Sequence, residues 1–328
     1  MEVSLFPEYT QQFAAVADRI RSAARVHVIA HVKPDADAIG SACALSKGLD
    51  QLGVDNNVYI GQSVPHSANM RTIPGVDDII YGGELPDGGV VVTVDCASAD
   101  RTGSYLPAIS ADPERVIVID HHNTNPGFGG RNLIVESEST TVMVRELLAH
   151  LGVTLDDDIA YCLYAGLVTD TGNFRWGTPR MHVLAAELME FGLNTRQIAL
   201  DLMDTMSASD LQQMGSVLAE TQIMPAKGLN VAVLTVPVGL LTRMSQTAVE
   251  AIIDYARALE GTDVGVVLKE QEKGNWAVSL RSTIVNVSAV AALLGGGGHT
   301  AAAGYTGLGT REDVVRDLLA ALPDVSQR

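Results

Sequence analysis

Aspartate and histidine residues follow three separate apolar segments in the first half of the chain. The segments 26–30, 90–94 and 116–119 are rich in Val and Ile, and each leads directly into acidic or imidazole side chains. In open parallel sheets, ligands bind at the carboxyl ends of the strands. We therefore predict that these side chains converge on one rim of a sheet. The seven residues are His31, Asp35, Asp37, Asp95, Asp120, His121 and His122.

Divalent cations are the chemistry that this set of side chains indicates. A lone Asp or His at a strand end usually caps a helix or forms a turn, but recurrence at three strand ends favours a shared site. Without cations, mutual repulsion would raise the carboxylate pKa values and cost stability. The mixture is rich in oxygen, has some imidazole and needs no thiolate. It suits Mn²⁺, suits Mg²⁺ less well, and disfavours a closed structural zinc site.

Two metal ions about 3.5–4 Å apart can activate water and hold a phosphoryl group for in-line attack. One carboxylate must then bridge both ions. Asp95 is the best candidate, because its segment lies between the other two in the chain. The segment 166–176, GLVTDTGNFRW, adds Asp170 in what we expect to be a turn rich in Thr and Gly. These residues predict a phosphoesterase that uses two metal ions.

A second group of candidate residues lies near the carboxyl terminus. The predicted strand 276–282 ends in Arg281 and Ser282, and the run GGGGH at 295–299 follows a predicted helix. A glycine run that includes Gly297 and Gly298 lets backbone N–H groups approach a phosphate closely, and His299 can add a donor. Arg281 offers a bidentate fork to phosphate. Together they predict a clamp for a phosphate or a base.

The elements that position these residues form an α/β fold. The apolar strands of the first half alternate with helical patterns at 38–52 and 140–151, which is typical of βαβ units and a parallel sheet. Residues 156–220 are mostly helical in pattern, with one helix predicted over 195–206. A second strand and helix set follows. We predict a catalytic domain over 1–190, a helical connector over 191–227, and a smaller α/β substrate-binding domain over 228–328, with the active site between the domains.

Composition limits the substrate and the setting. The chain has 328 residues and a formal net charge of −17. A basic surface normally holds long nucleic acids, so we expect a small anionic substrate instead. No apolar run approaches the roughly 20 residues of a membrane span, and the amino terminus lacks a signal-peptide pattern. The three cysteines form no paired motif, which favours a reducing cytoplasmic setting.

Six segments resemble the ordered motifs of DHH phosphoesterases with their associated carboxyl-terminal domain, and they extend over about residues 25–305. These segments are HVKPDADAIGS (31–41), VDCAS (94–98), IDHH (119–122), GLVTDTGNFR (166–175), SLRS (279–282) and GGGGHTAAAG (295–304). Within the family, the chain looks most like the compact nano-RNase type. This resemblance implies cleavage of short oligoribonucleotides and linear dinucleotides such as pApA, and removal of phosphate from 3′-phosphoadenosine 5′-phosphate. Some members of this branch also open cyclic di-AMP.

The resemblance also implies roles for individual residues. One Mn²⁺ ion would bind His31, Asp35 and Asp95, and the other would bind Asp37, Asp95, His121 and Asp170. His122 would face the scissile phosphate, with Asp120 orienting a ligand. The distal part of the substrate would contact Arg281, Ser282, Gly297, Gly298 and His299. Mg²⁺ or Co²⁺ would be weaker substitutes, and a homodimer through the sheet domain is expected.

Two other functions remain open. A nucleotide-binding sensor without turnover would show a degenerate site, whereas every candidate ligand is present in this chain. A RecJ-like single-strand exonuclease belongs to the same family, but such enzymes are usually longer and carry an added nucleic-acid-binding domain. A redox enzyme on a dinucleotide-binding fold would need GxGxxG after the first strand, where the sequence has HVKPDADAIG.

Overall fold

The computed structural model describes residues 4–326, and the chain divides into two compact units after Asp204. The division falls inside the segment 191–227 that we predict as a connector. Residues 191–204 belong to the first unit, and the following residues belong to the second.

A six-stranded, fully parallel sheet forms the centre of the first unit. Its order is β3-β2-β1-β4-β5-β6. The strands are β1 (Arg25–Ala30), β2 (Asp55–Ile60), β3 (Ile80–Tyr81), β4 (Val90–Val94), β5 (Val116–Asp120) and β6 (Arg131–Ile134). The prediction of a parallel α/β sheet is confirmed. The sequence did not reveal the edge strands β3 and β6, because they are short and β6 begins with two polar residues.

The strand order places the three predicted strand ends side by side. From β1 the chain moves outward to β2 and β3, then returns to the other side of β1 with β4 and continues to β5. The order therefore reverses between β1 and β4. Open α/β sheets bind ligands at such a switch point.

Helices cover this sheet and pack closely against one another. They are α1 (Thr10–Arg21), α2 (Ala36–Gln51), α3 (Leu106–Ala111), α4 (Thr140–Leu151), α5 (Asp157–Asp170), α6 (Pro179–Met189) and α7 (Thr195–Ala199). The side chains of Asp35, Ser139 and Asp156 cap α2, α4 and α5 by accepting backbone N–H groups. At Gly40, α2 lies so near α5 that a Cβ atom would be 2.3 Å from the Cys162 carbonyl oxygen. These contacts fix α2, which begins at the candidate site.

The helix predicted over 195–206 is helical over 195–204, but it is not a single α-helix. Helix α7 ends at Ala199, a π-helical turn covers Leu200–Asp204, and an irregular stretch follows. The next helix, α8 (Ala208–Ala219), has its own start. Ser207 accepts the Asp210 N–H, and the Asp210 carboxylate accepts from the Ser207 backbone, forming a capping box. This local start competes with continuation of α7.

The second unit contains a six-stranded mixed sheet of order β11-β12-β10-β9-β8-β7, in which only β8 and β9 pair in parallel. Its strands are β7 (Gln222–Ala226), β8 (Leu229–Val236), β9 (Val264–Glu272), β10 (Asn275–Arg281), β11 (Gly297–His299) and β12 (Ala302–Leu308). Its other helices are α9 (Val238–Leu241), α10 (Gln246–Ala258), α11 (Val287–Leu293) and α12 (Arg311–Ala321). The prediction of a second, smaller α/β unit is confirmed.

Part of the glycine-rich run at 295–299 forms a strand. Gly297–His299 forms the edge strand β11, which pairs antiparallel with β12. Gly296 approaches β12 so closely that a Cβ atom there would be 2.1 Å from the Gly304 carbonyl oxygen. The glycines therefore allow close strand packing as well as any approach of a ligand.

Among the described residues 4–326, no helix combines the length and hydropathy that crossing a bilayer requires. Cys43, Cys96 and Cys162 are buried free thiols.

Candidate metal centre

The seven side chains predicted to converge do lie at one edge of the first sheet. His31 follows β1, Asp95 follows β4, and Asp120 is the last residue of β5. Most of the site is buried, with His31, Asp95 and His121 each no more than 3% exposed, whereas the side chain of Asp35 is about half exposed. Asp and His residues are rarely this buried unless they are paired or bind a metal ion.

Asp95 stands between two clusters of side chains. Its Oδ2 atom lies 3.4 Å from Nε2 of His31, and its Oδ1 atom lies 3.4 Å from Nε2 of His121. Its backbone has a φ angle of 59°, in the left-handed region that costs a non-glycine residue about 1 kcal/mol or more. Residues held in this way are concentrated at functional sites. The two oxygens of one carboxylate are thus directed to different histidines.

The two clusters have similar composition. Nε2 of His31 also lies 3.5 Å from Oδ2 of Asp35. Nε2 of His121 lies 3.3 Å from Oδ2 of Asp170 and 3.8 Å from Oδ2 of Asp37. These distances exceed the roughly 2.8 Å of a hydrogen bond between charged groups. They are closer to the separation of about 3 Å between neighbouring ligands of an octahedral ion with bonds of about 2.1 Å.

The electrostatics of the cluster favour bound cations. Burial, together with the negative charge of Asp95, raises the pKa of Asp37 to about 7. Burial and the charges of Asp37 and Asp35 raise the pKa of Asp170 well above its ordinary value. Burial opposes ionisation of Asp95 too, but hydrogen bonds to His121 and His31 outweigh it and lower the pKa of Asp95. Divalent ions would allow all the carboxylates to ionise together. The buried acidic and imidazole groups can therefore bind metal.

Asp170 lies at the end of a helix and not in the predicted turn. It is the last residue of α5, which continues through Thr169, whose hydroxyl donates to the Ala165 carbonyl oxygen. The turn begins after it, with Gly172, Asn173 and Phe174 at positive φ angles. The Thr and Gly residues marked a helix end, and the sequence did not show on which side of it Asp170 lies.

His122 is held by a chain of polar contacts. Its Nδ1 atom lies 2.8 Å from Oδ1 of Asp120. Asn125 donates from Nδ2 to Oδ2 of Asp120 at 2.5 Å and to the Cys96 carbonyl oxygen at 3.0 Å. Asp120 thus orients the imidazole, while Asn125 links it to the backbone beside Asp95. Sequence reasoning missed Asn125, although its place three residues after His122 in a polar loop was a signal.

The carboxyl-terminal candidates lie together within the second unit. Arg281 pairs with Ala302 in β12, and Ala302 pairs with His299 in β11, so Arg281 and His299 are two strands apart at the same sheet end. The Ser282 hydroxyl is used within the unit. It donates to the Asp263 carbonyl oxygen and accepts the Ile284 and Val285 N–H groups. Ser282 therefore shapes the end of β10.

Comparison with known proteins matches both units. The DHH family, N-terminal domain, matches residues 25–167, and the DHHA1 domain matches residues 228–327. The bifunctional oligoribonuclease and PAP phosphatase NrnA of Thermus thermophilus is 32% identical over 92% of this chain and 90% of its own length. The chain is a DHH-family phosphoesterase. Proteins of this family that resemble it are hydrolases.

Other relatives agree with this assignment. The protein of the same name from Bacillus subtilis is 25% identical over 84% of this chain and 86% of its own length. The crystal structure of an exopolyphosphatase-related protein from Bacteroides fragilis superimposes with a TM-score of 0.80 at 23% identity, covering 95% of both chains. That structure supports the DHH fold alone.

The start of α4 supports the DHH site in a way that sequence reasoning missed. The Thr140 and Thr141 N–H groups donate to the two carboxylate oxygens of Asp37 at 2.7 and 2.9 Å. The Thr140 hydroxyl donates to Oδ1 of Asp95 at 3.0 Å. A helix amino terminus stabilises a carboxylate through its N–H groups and its dipole. The polar triplet 139–141 before an apolar run signalled this helix start.

We expect Thr140→Val to weaken Mn²⁺ binding by roughly tenfold, because loss of a hydrogen bond to a ligand typically has an effect of this size. Thr141→Val is the matched control, since its hydroxyl contacts Ser139 and its N–H bond to Asp37 would remain. Titration with Mn²⁺, with free Mn²⁺ followed by electron paramagnetic resonance, measures the Mn²⁺ dissociation constants of the two variants and the wild type. Equal values for Thr140→Val and the wild type would contradict this role.

Proposed function

We propose that this DHH-family enzyme hydrolyses phosphoesters of short nucleotides at a centre that binds two Mn²⁺ ions. The observation that carries the proposal is Asp95, whose two oxygens are directed to His31 and His121 in two separate clusters. This arrangement is what a bridging carboxylate between two ions requires.

The ligand sets follow from the clusters. His31, Asp35 and Asp95 would bind one ion, and a second ion would share Asp95. The ligands proposed for that second ion are Asp37, Asp95, His121 and Asp170. Mg²⁺ and Co²⁺ would substitute less effectively, because oxygen-rich sites with some imidazole suit Mn²⁺. When bound, the ions supply activation of water and neutralisation of phosphoryl charge.

His122 would act directly on the substrate. The hydrogen bond between Nδ1 and Asp120 fixes the orientation of the ring. As a hydrogen-bond donor, His122 would contact a non-bridging phosphoryl oxygen as charge develops there in the transition state. Asp120 is a positioning residue in this account, and Asn125 supports it.

The substrate is proposed to be small. Two relatives carry the name bifunctional oligoribonuclease and PAP phosphatase, so short oligoribonucleotides and 3′-phosphoadenosine 5′-phosphate are the first candidates. Linear pApA and cyclic di-AMP are further candidates, because their hydrolysis also breaks a phosphoester bond. The net charge of −17 discourages long polyanions. Gly297, Gly298, His299 and Arg281 would bind the distal part of the substrate, and direct contact by Ser282 stays a prediction.

We expect Arg281→Ala to raise KM about tenfold and to change kcat little, because Arg281 would bind a part of the substrate that does not react. Arg311→Ala is the matched control, since Arg311 contacts Thr235 and Gln222 at another part of the same unit. Steady-state kinetics with a linear dinucleotide separates the two constants. An equal fall in kcat with unchanged KM would assign Arg281 to the chemical step instead.

A substrate panel with Mn²⁺ tests the function itself. It comprises pApA, cyclic di-AMP, RNA of two to five nucleotides, 3′-phosphoadenosine 5′-phosphate and a long single-stranded DNA. We expect the highest kcat/KM for a short linear substrate. Tight nucleotide binding without product would favour a sensor, and preference for the long strand would favour a RecJ-like exonuclease.

A cytoplasmic homodimer completes the proposal. The three buried thiols suit a reducing compartment. Dimerisation through the sheet domain stays a prediction, which the molar mass from light scattering tests.

A further inference from the structure

Arg101 lies beside the candidate metal centre. It belongs to the 3-10 helix Ala99–Tyr105, which follows Asp95. Its carbonyl oxygen accepts the Val32 N–H at 2.8 Å, so this helix is tied to the loop after β1. Its partly buried guanidinium places Nη2 2.8 Å from Nδ1 of His31. The motifs and the ligand sets above assign no role to this arginine.

Nδ1 of His31 has two neighbours that require opposite roles of it. The Val32 carbonyl oxygen, at 2.9 Å, needs a donor, whereas Nη2 of Arg101 needs an acceptor. A neutral imidazole carries one ring proton, so Nδ1 can serve only one of them. When Nε2 of His31 coordinates a metal ion, the ring proton lies on Nδ1, and the Nδ1–H group donates a hydrogen bond to the Val32 carbonyl oxygen. The bond between Arg101 and His31 and coordination of a metal by His31 therefore exclude each other.

Arg101 then needs another acceptor. Within residues 4–326, Arg101 takes part in no ion pair, although Asp and Glu outnumber Lys and Arg by 39 to 22. Two other buried or partly buried arginines of this unit form ion pairs, Arg145 with Glu187 and Arg180 with Glu138, whereas Arg115 donates to the Gly88 carbonyl oxygen. A guanidinium has five N–H donors in a fork that matches phosphate oxygens. An unpaired arginine beside the centre of an acidic phosphoesterase is thus suited to an anionic ligand.

We propose that Arg101 is a phosphate-binding residue of this site. Its guanidinium lies beside Nδ1 of His31, and a His31 that coordinates a metal ion would use Nδ1 to donate to Val32, so the N–H groups of Arg101 would be left to donate to a non-bridging oxygen of the reacting phosphoryl group. This inference rests on the proposed function, since it names a further substrate contact at the same site.

Calorimetric titration of the Mn²⁺-loaded protein with inorganic phosphate tests the assignment without turnover. We expect Arg101→Gln to weaken phosphate binding at least tenfold and Arg101→Lys to restore part of it, because lysine keeps the charge but loses the fork. Arg25→Gln is the control for net charge. Arg25 begins β1 at the strand end opposite His31 and pairs with Asp55. We expect it to bind phosphate like the wild type.

The affinity for Mn²⁺ separates this role from a structural one. Arg101→Gln removes a positive charge beside His31 that repels a bound Mn²⁺ ion. We therefore expect the variant to bind Mn²⁺ as tightly as the wild type, or up to about fivefold more tightly. If Arg101 only supported His31, Mn²⁺ binding would weaken tenfold or more while phosphate binding at saturating Mn²⁺ stayed the same. That result, or unchanged affinity for both ligands, would overturn the proposal. If the wild type failed to hydrolyse the whole substrate panel, the proposed function would fail, while phosphate titration would still test Arg101.

Discussion

Replacing Asp95 with Asn should lower kcat for a short linear dinucleotide by roughly 10³–10⁴-fold with Mn²⁺ supplied. A neutral amide cannot bridge two cations. Loss of the Asp95 carboxylate also removes negative charge from both ligand sets at once. Removal of one preorganised electrostatic contact at a reacting centre typically costs about 10²–10³-fold, and Asp95 contributes to two clusters. The change in volume is small, so the effect should be chemical more than structural.

Asp100→Asn is the control for this substitution. Asp100 undergoes the same chemical change in the 3-10 helix that follows Asp95, but its side chain is exposed. We expect its activity to lie within about twofold of the wild type, as for most surface substitutions. Initial rates over a range of Mn²⁺ concentrations compare Asp95→Asn and Asp100→Asn with the wild type. Hydrolysis by Asp95→Asn at the wild-type rate would show that the two clusters do not form one catalytic site.

Removing divalent metal with a chelator should abolish hydrolysis, by roughly 10³-fold or more, and Mn²⁺ should restore it. It should also destabilise the fold in a manner that depends on pH. Asp37, with a pKa raised to about 7 by burial and Asp95, favours its protonated form in the folded protein. Burial lowers the pKa of His31, but Asp35 and Asp95 outweigh it and raise this pKa to about 9.

The sign of the pH effect follows from these two groups. As pH rises from about 4 to 7, the metal-free protein loses stability because the unfolded chain releases the Asp37 proton first. From about 6.5 to 9, it loses the stability that protonated His31 contributes. Bound metal ions replace both protons, so the rise in Tm on adding Mn²⁺ should be about 5 °C larger at pH 8.5 than at pH 6. Differential scanning fluorimetry at both pH values measures this. A larger rise at pH 6 would contradict the assignment of these ligands.

Much of the fold could be predicted from the sequence because its signals are local. Strands β1, β4 and β5 are rich in Val and Ile and are buried on both faces. A polar residue directly follows β1 and β4 and is the last residue of β5. Parallel strands bring such ends to one edge, so the convergence of His31, Asp95 and His121 followed from topology alone.

The remaining features depend on contacts between distant residues. The Thr140 bonds to Asp37 and Asp95 join α4 to the start of α2 and to the residue after β4, both far away in the chain, and no spacing rule reveals them. The glycine run became a strand because β12 provides a partner, which local flexibility cannot show. Arg101 was missed for the same reason, since its significance lies in one distance to His31.

Anomalous diffraction at the manganese edge, from crystals of the wild type grown with Mn²⁺, tests the central claim most directly. We expect two peaks about 3.5–4 Å apart, one beside His31 and Asp35 and one beside His121 and Asp170, with Asp95 contacting both. A single peak, or two peaks that do not share Asp95, would contradict the two-metal assignment.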